Sequence, residues 1–500
     1  MLRIEEADVV ARLRADNPWW DPAFRPEGPP FDWPRRAFAD RLFRLLRNGP
    51  RRAVVLLGAR RVGKTTLLLQ LVGTAIADRT HPAVLYAALD TPTYAGRSPE
   101  DLLRLFEQAV PHDPRGPRLV VFDEVQYQRD WERHLKDLVD RFPNTRFVVS
   151  GSAAAALKRG STESGAGRFT EVELPPFTFA EFLEFRRQPL VDVELGPEVP
   201  RFRCRNIEEL DAAFLDYLEH GGYPEAILDP KVRDEFDRFV GRDIVDKVLL
   251  RDLPILYGIT DVTELNRLFT VLAYNTAQEA SLEALSSDSG IAKTTIKRYL
   301  DYLEAAFLIY RLRRVDENAR HFQRERSFKV HLVNPTMRSA LFGRLEREDE
   351  RLGALVESGA LAQLLHLPLR RQLHYARWRD GRLDREVDLV ALDPATQRPA
   401  WAVEIKWSDR PARAREEAEA LVQLAEKHRL ARAAVTTRSV CGSWQPSLVA
   451  ADIRFVPAAL WAFALGWASA RDEPEIAALL RETGMLGARF VAGEGASCDG

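Results

Sequence analysis

The sequence predicts an α/β protein in which a parallel sheet covered by helices is followed by helical segments and a second mixed α/β region. Three observations carry this prediction. Apolar runs alternate with helical patterns over residues 49–176, the periodicity becomes helical over residues 177–255, and short apolar strands return over residues 325–470. A chain of 500 residues is long enough for two to four domains.

The first α/β region follows a lead-in of residues 1–48, which contains a proline-rich stretch at residues 26–34. Alternation of strand and helix patterns predicts a parallel sheet with helices on both faces. The predicted strands are Arg52–Leu57, Ala83–Leu89, Leu119–Phe122, Arg146–Ser150 and Thr170–Leu174, and the predicted helices include Pro99–Val110 and Trp131–Phe142. Pro175 and Pro176 close this region.

Residues 58–65 read Gly-Ala-Arg-Arg-Val-Gly-Lys-Thr, a complete phosphate-binding loop placed between a predicted strand and a predicted helix. Gly58 and Gly63 let the backbone curl so that its N–H groups point at phosphate oxygens. Lys64 can reach the terminal phosphates, and the Thr65 hydroxyl can ligate Mg²⁺. Arg61 and Thr66 complete the predicted nucleotide-contacting set. We therefore expect ATP and Mg²⁺ to be the cofactors of a P-loop NTPase fold.

Two carboxylates follow the apolar run at residues 119–122, as in a Walker B motif. We expect Asp123 to hold Mg²⁺ and Glu124 to orient and polarise the attacking water. Both residues predict hydrolysis as well as binding, so the sequence indicates an ATPase of the EC 3.6 class.

Two further polar positions are candidates for contact with the reacting phosphate. The strand ending at Ser150 continues into Gly151-Ser152, and either serine can act as the sensor of an AAA-type ATPase; an ordinary Ser-Gly turn is the alternative. Arg168 follows a small, polar loop and can neutralise charge in its own subunit or in a neighbour's. If Arg168 acts in a neighbour's site, the protein is a homo-oligomer, and this possibility stays open.

Composition narrows the function classes. Hydrophobic residues make up 46% of the chain and charged residues 29%, which is typical of a globular protein, and the net charge of −2 excludes a global basic field. Cys204, Cys441 and Cys498 lack metal spacing and predict neither a zinc site nor a disulfide framework. The N-terminus has no apolar signal core, and residues 457–470 are too short to span a bilayer. We expect a cytoplasmic protein with no membrane contact.

The middle of the chain predicts two helical units. Residues 177–255 have helical periodicity without strand patterns and predict a lid packed against the ATPase core. Residues 256–320 resemble a winged helix-turn-helix, with a first short helix at 282–287, a turn at Ser289-Gly290 and a second helix at 293–303. This unit either reads DNA or serves as an intramolecular docking domain.

The second α/β region, residues 325–470, carries another group of charged residues on predicted strands. Strand alternation places Glu404 and Lys406 on one face, with Asp388 on the neighbouring strand and Glu357 on a helix before it. Carboxylates and the Ile405 carbonyl are hard-oxygen ligands for Mg²⁺, and Lys406 can activate water or stabilise a phosphate transition state. This is the PD-(D/E)xK nuclease signature; a salt-bridged strand edge is the alternative. We expect residues 471–500 to be a loose tail.

The order of these motifs resembles a prokaryotic family of AAA-type P-loop ATPases fused to a winged helix and a C-terminal domain of unknown function related to PD-(D/E)xK nucleases. The resemblance covers residues 35–440 and rests on the phosphate-binding loop, on residues 123–126, and on later echoes at residues 167–169, 175–183, 221–225, 357–359, 386–388 and 403–406. It implies ATP binding, an open parallel P-loop sheet with a helical lid and a restriction-nuclease-like C-terminal region. Glu357 departs from the family pattern because Ser-Gly follows it.

Together these features predict a Mg²⁺-dependent ATPase that acts on DNA, with a metal-dependent nuclease site at Glu357, Asp388, Glu404 and Lys406 as an open question. A signalling switch is the alternative, in which nucleotide state controls partner binding and the C-terminal domain only recognises its partner.

Overall fold

The computed structural model divides the chain into two compact units, Met1–Leu174 and Pro175–Gly500. The structure describes residues 4–78, 83–113, 115–151, 167–196, 199–315, 327–446, 452–471, 473–492 and 496–497.

The sheet of the first unit has five parallel strands in the order β2-β3-β4-β1-β5. The strands are β1 Ala53–Gly58, β2 Ala83–Ala88, β3 Arg118–Asp123, β4 Thr145–Gly151 and β5 Phe169–Leu174. Strand β4 lies between β1 and β3, so the carboxyl ends of these three strands meet at one edge. The predicted strands are confirmed to within one residue at most ends, because β1, β2 and β3 are continuous apolar runs buried on both faces.

Of the described α-helices of this unit, two precede β1 and three connect successive strands from β1 to β4. They are α1 Glu6–Asp16, α2 Ala39–Asn48, α3 Lys64–Ala77, α4 Pro99–Ala109 and α5 Trp131–Arg141. Helix α4 begins where predicted because Ser98 and Asp101 form a reciprocal capping box, with Pro99 at the first helical position. Its buried face carries Leu102, Leu105 and Phe106.

The lead-in segment closes the outer edge of the first sheet at β2. The Asn17 amide donates to the Tyr86 carbonyl at 2.8 Å and accepts from the Tyr86 N–H at 2.7 Å. The indole N–H groups of Trp19 and Trp20 both donate to the Val84 carbonyl. An open strand edge is a template for pairing with other chains, so this segment protects β2.

The second unit is built on a nine-stranded mixed sheet in the order β15-β16-β14-β13-β12-β11-β9-β10-β8. These strands are β8 Glu279–Ala280, β9 Ile309–Arg314, β10 Phe328–Leu332, β11 Leu373–Asp380, β12 Leu383–Leu392, β13 Pro399–Glu404, β14 Arg432–Thr437, β15 Gly442–Trp444 and β16 Ile453–Pro457. A smaller sheet, in the order β18-β17-β7-β6, contains β6 Val191–Leu195, β7 Pro200–Cys204, β17 Arg489–Ala492 and β18 Ala496–Ser497.

The α-helices of the second unit are α6 Phe179–Phe185, α7 Ile207–His220, α8 Pro224–Leu228, α9 Pro230–Asp234, α10 Phe236–Arg238, α11 Leu253–Tyr257, α12 Val262–Tyr274, α13 Leu282–Ser289, α14 Lys293–Ala305, α15 Thr336–Phe342, α16 Arg351–Ala362, α17 Arg410–Arg413, α18 Glu419–His428, α19 Ala458–Ser469 and α20 Pro474–Thr483. The segments Phe239–Asp246 and Val248–Asp252, between α10 and α11, are π-helical.

Helix α19 lies at the centre of the second unit, and all twelve of its residues are buried. Phe463 and Trp467 contact Phe202 of β7, and Phe463 also contacts Phe179 of α6. Each large apolar side chain buried in this way contributes about 1.5–3 kcal/mol to folding. No helix among the described residues is long and apolar enough to cross a membrane.

Three expectations about the second unit were wrong. Residues 177–255 contain the strands β6 and β7, and α6 and α7 pack in the core of the second unit around Phe179 and Tyr217. The segment expected to be a loose tail contains α20 and β17, which pairs in parallel with β7. Cys441 is disulfide-bonded, whereas Cys204 is free and buried. Alternating burial in β7 was the overlooked strand signal.

Strand β8 lies between α12 and α13, and β9 and β10 follow α14. These strands form a small antiparallel arrangement in which β10 pairs with both β8 and β9. Gly290 ends α13 with a φ of 74°, a left-handed conformation that glycine adopts without strain. Strand β9 then pairs in parallel with β11 through Arg313 and Arg314, so this three-helix segment and residues 373–457 share one continuous sheet.

Candidate functional site

The phosphate-binding loop leaves β1 at Gly58 and enters α3 at Lys64. A side chain at Gly58 would lie 2.5 Å from the Leu174 carbonyl of the neighbouring strand, so only glycine fits there. Arg61 and Gly63 have φ values of 63° and 92°, which turn the loop back toward the helix N-terminus. That helix end offers unpaired N–H groups and a favourable dipole to an anion.

Lys64 is folded over its own loop. Its ammonium donates to the Gly58 carbonyl at 3.1 Å and to the Ala59 carbonyl at 2.9 Å, and its side chain is 6% exposed. The amine therefore stands over the hollow of the loop, where it can meet phosphate oxygens.

Asp123 ends β3 and accepts hydrogen bonds at both oxygens. Thr65 donates to Oδ2 at 2.7 Å and Tyr86 donates to the same oxygen at 3.0 Å. Ser150 and the backbone N–H of Glu124 donate to Oδ1. Burial raises the pKa of Tyr86 far above its usual range, and the nearby Asp123 charge raises it further. The Tyr86 hydroxyl therefore stays protonated and acts as a donor.

The neighbouring Thr65 hydroxyl and Asp123 carboxylate are hard oxygens, and both residues stand at the same sheet edge as the loop. This donor pair fits Mg²⁺, which proteins hold through one or two such groups together with phosphate oxygens.

Glu124 stands beside this network in a left-handed backbone conformation, with φ of 56°. Gln126 donates to its carboxylate. Burial raises the pKa of Glu124 and outweighs the opposing effect of Lys64. A carboxylate whose pKa is raised toward neutrality is a better proton acceptor than an ordinary glutamate, which suits a general base.

The structure does not bring Arg168 to this loop within one chain. Phe169 pairs with Ala53 at the start of β1, whereas the loop follows Gly58 at its end, about 17 Å along the sheet at about 3.3 Å per residue. The Arg168 guanidinium donates to Asp140 at 2.6 Å. Of the two roles left open for Arg168, this placement does not support the one in its own subunit, and the role in a neighbouring subunit stays a prediction. Ser152 lies outside the described residues.

The sequence analysis missed two residues that support the loop. Arg36 is buried and donates to the Val62 carbonyl within the loop at 3.0 Å, with its guanidinium 5.3 Å from the Phe38 ring. Tyr86 orients Asp123 from β2. Neither lies in a recognisable motif, since both act through contacts distant in sequence.

The C-terminal charged cluster is centred on Lys329, a residue of β10 that the sequence analysis missed. Its ammonium donates to Glu357 Oε1 at 3.0 Å and to Asp388 Oδ1 at 3.0 Å, and it lies 2.7 Å from Glu386 Oε1. The side chain is 2% exposed. The available signal was a lysine between Phe328 and Val330 in a short strand pattern, because lysine is almost never fully buried without a partner.

Lys406 forms the other side of this cluster. Its ammonium lies 2.7 Å from Glu404 Oε1 and 3.9 Å from Asp388 Oδ2. The Ile405 N–H donates to Asp388 Oδ2 at 2.8 Å. Strand pairing of Leu389 with Val403 accounts for this proximity, as the sequence analysis predicted from neighbouring strands.

The predicted metal triad does not form a single ligand cluster. Among the described residues, Asp216, Glu219 and His220 are the group whose ligand atoms lie within 4.8 Å of one another. Glu357, Asp388 and Glu404 are not brought together in this way, because Lys329 stands between Glu357 and Asp388. The residues as arranged do not fit the predicted metal, and the Ile405 backbone contributes its N–H to Asp388.

Electrostatics in the cluster follow burial and charge pairing. Burial raises the pKa of Glu357 to about 8, against the effect of Lys329, and burial together with Asp388 raises that of Glu404 to about 8. The pKa of Asp388 changes in the opposite direction. Burial alone would raise it, but the charges of Lys329 and Lys406 bring it below the usual range. Burial and Lys329 lower the pKa of His331 to about 3, so this neighbouring ring is neutral.

The Asp216 group has other partners. Arg186 and Arg233 both pair with Asp216, and the His220 ring lies 2.9 Å from its carboxylate. Although burial opposes its charge, hydrogen bonds from His220 and Arg233 hold the pKa of Asp216 well below its usual range. Two guanidinium groups on one carboxylate make this a salt-bridge network of the α7 surface.

Two family matches coincide with these structural regions. Residues 50–183 match the family described as AAA domain, and residues 211–348 match a domain of unknown function, DUF8612. The first match covers the loop, the Walker B strand and the rest of the parallel sheet, so this region is a P-loop ATPase domain of the AAA type.

Uncharacterized proteins of Mycobacterium tuberculosis and Mycobacterium bovis are each 31% identical to this chain over 409 residues, which covers 80% of this chain and 79% of each relative. The chain belongs to their family. An uncharacterized protein of Haemophilus influenzae is 26% identical to this chain over 297 residues, which covers 56% of this chain and 68% of the relative.

Solved structures similar to this chain include the Aeropyrum pernix Orc1 protein in complex with DNA and AMPPCP-bound DnaA from Aquifex aeolicus. Each is 15% identical; they cover 62% and 53% of this chain, and 93% and 85% of their own chains, with TM-scores of 0.28 and 0.26. Likeness this weak carries no inference about function.

Proposed function

We propose that the chain is a Mg²⁺-dependent ATPase that couples ATP hydrolysis to DNA binding. The observation that carries the first half is the hydrogen-bond network joining Thr65 of the loop, Asp123 of β3 and Ser150 of β4. These residues come from three separate elements and meet at the one sheet edge where the loop can hold phosphates.

In this proposal each residue has one role. The loop N–H groups and Lys64 bind and orient the terminal phosphates, which is where most of the catalysis of phosphoryl transfer lies. Thr65 and Asp123 hold Mg²⁺, which when bound neutralises phosphate charge. Glu124 orients the attacking water and accepts its proton, and Ser150 fixes the Asp123 carboxylate.

DNA binding is proposed for residues 262–332. Three helices, with β8 between the first two and β9 and β10 after the third, support a winged helix-turn-helix because β8, β10 and β9 form one antiparallel set. Helix α14 exposes Lys293, Thr294, Lys297 and Arg298, while Ile296 and Leu300 face the core. Lys293 is paired with Glu283 of α13, so Lys297 and Arg298 carry the proposed phosphate contacts.

The test measures ATP turnover with and without duplex DNA in the full chain, and DNA affinity at several salt concentrations. We expect DNA to stimulate turnover, and Lys297→Glu to weaken binding and reduce the salt slope by about one or two charges. Lys427→Glu, an exposed substitution on α18, is the matched control. Absence of DNA binding and of DNA stimulation would overturn the coupling proposal and leave the ATPase proposal standing.

A nucleotide-controlled switch is the second candidate function. It is favoured by the position of Lys329, whose ammonium pairs with Glu357 and Asp388 of the predicted nuclease site. This pairing favours a domain that binds a partner without cleaving it. Slow turnover that DNA leaves unchanged, together with partner binding that depends on ATP, would favour the switch.

A further inference from the structure

The strongest unexplained feature of the second unit is the buried ammonium of Lys329. An ammonium has three N–H donors and no acceptor. Lys329 lies within 3.0 Å of one oxygen from each of three carboxylates, Glu357, Glu386 and Asp388. Its hydrogen-bonding capacity is therefore used within the cluster, and its charge is placed between residues predicted to share a metal.

We propose that Lys329 is a built-in cation that takes the place of a divalent metal in the C-terminal carboxylate cluster, so that this domain binds its partner without cleaving it. The proposal concerns the second unit alone and does not depend on ATP hydrolysis.

A divalent ion would have to compete with groups already paired. Mg²⁺ requires near-octahedral coordination by about six oxygens at about 2.0–2.1 Å, and a second cation beside a buried ammonium is repelled by it. Asp388 already accepts from Lys329 at one oxygen and from the Ile405 N–H at the other. Glu404 Oε1 lies 2.7 Å from the Lys406 ammonium.

One atom favours a metal. Glu404 Oε2 is buried and has no hydrogen-bond partner among the described residues. A single open oxygen is too few for Mg²⁺, but it makes Glu404 the residue at which wild-type metal binding would be detected first.

Lys329 also ties the winged-helix strands to the rest of the sheet. It belongs to β10, whereas Glu357 belongs to α16, and Glu386 and Asp388 belong to β12. One ammonium thus connects three elements and holds them in place. A metal ion from solution would hold them only while it is bound.

The test is Mn²⁺ binding to the nucleotide-free full chain, followed by the paramagnetic resonance signal of free Mn²⁺. We expect wild type, Asp388→Asn and Glu404→Gln to bind Mn²⁺ equally, since any weak binding at the phosphate-binding loop is common to all three. A wild-type site that is lost in Asp388→Asn or Glu404→Gln would overturn the proposal.

The converse variant is Lys329→Met, which keeps the length of the side chain and removes its charge. We expect the Mn²⁺ affinity of this variant to rise by about tenfold or more, because groups that neighbour metal ligands change metal affinity on that scale. Adding Asp388→Asn to Lys329→Met should lower the affinity again. Lys329→Arg keeps the charge and should show no gain. No gain in a folded Lys329→Met would overturn the proposal. If that variant does not fold, the wild-type comparison still decides.

Cleavage provides an independent readout. Wild type incubated with DNA and Mn²⁺ should show no cleavage that depends on Asp388, whether or not ATP is hydrolysed. Cleavage that disappears in Asp388→Asn would overturn the proposal and would leave the ATPase proposal untouched.

Discussion

Both units bring a lysine close to carboxylates, but the charges are connected differently. In the first unit, Lys64 donates to backbone carbonyls while Asp123 accepts from uncharged hydroxyl groups. In the second, Lys329 donates directly to carboxylates. The Asp123 carboxylate of the first unit is therefore held by neutral donors, whereas the carboxylates of the second unit are paired directly with an ammonium.

This difference teaches that residue types alone do not define a metal or phosphate site. Lys64 is held by carbonyl dipoles, which an incoming phosphate can replace. Lys329 is paired with the buried groups Glu357 and Asp388 and with the half-buried Glu386. Separating a buried ion pair is costly because each partner is left without solvent.

The largest expected effect is at Lys64. Lys64→Ala removes the charge that stabilises the transferring phosphoryl group, and we expect ATP turnover to fall by about 1000-fold, as when an electrostatic donor is removed from other active sites. Phosphate release measures the effect, and Lys136→Ala on α5 is the control. Turnover within a few-fold of wild type would place hydrolysis elsewhere.

Glu124→Gln should separate binding from hydrolysis. The amide keeps the shape of the side chain but cannot accept a proton, so turnover should fall by about 100-fold, within the range for a general base, while ATP affinity is retained. Glu132→Gln is the matched control. Equal losses of affinity and turnover would mean that Glu124 supports the loop instead.

Asp388→Asn should act on stability. It leaves Lys329 with two carboxylates instead of three, and we expect the second unit to lose about 2 kcal/mol, less than for a fully broken buried pair. Urea unfolding of the full chain measures this loss, and ATP should shift only the transition of the first unit. Asp384→Asn, on an exposed side chain of β12, is the control. An unchanged transition would show that Asp388 is not paired with Lys329 in solution.

Arg168→Ala should have the smallest effect. Because Arg168 lies at the opposite sheet edge and pairs with exposed Asp140, ATP affinity should change by less than about twofold, as for most surface substitutions. Calorimetric titration measures the affinity. Turnover that falls while becoming dependent on protein concentration would indicate that Arg168 acts in a neighbouring subunit.

The first site was largely predictable because its residues are encoded locally. The loop is contiguous, and Asp123 and Ser150 each end an apolar run, so parallel pairing brings them together. Arg36 and Tyr86 were not predictable because they reach the loop and Asp123 from distant sequence positions.

The second site was predicted in its parts and not in its arrangement. Glu404 and Lys406 are neighbours in the chain and are paired in space. Lys329 meets Glu357 and Asp388 across 28 and 59 residues, a juxtaposition set by the sheet order β12-β11-β9-β10 and by α16. The local sequence pattern did not specify this strand order. The pairing of β9 with β11, which joins the two parts of the sheet, involves only two residue pairs.

The shared sheet has a practical consequence for anyone who divides this chain into fragments. A fragment that ends at residue 320 would keep β9 and lose both of its neighbours, β10 and β11. The exposed N–H and C=O groups of such a strand recruit other chains, so we expect this piece to aggregate more readily than the whole second unit. A fragment that contains α12 to α14 should therefore keep both β10 and β11.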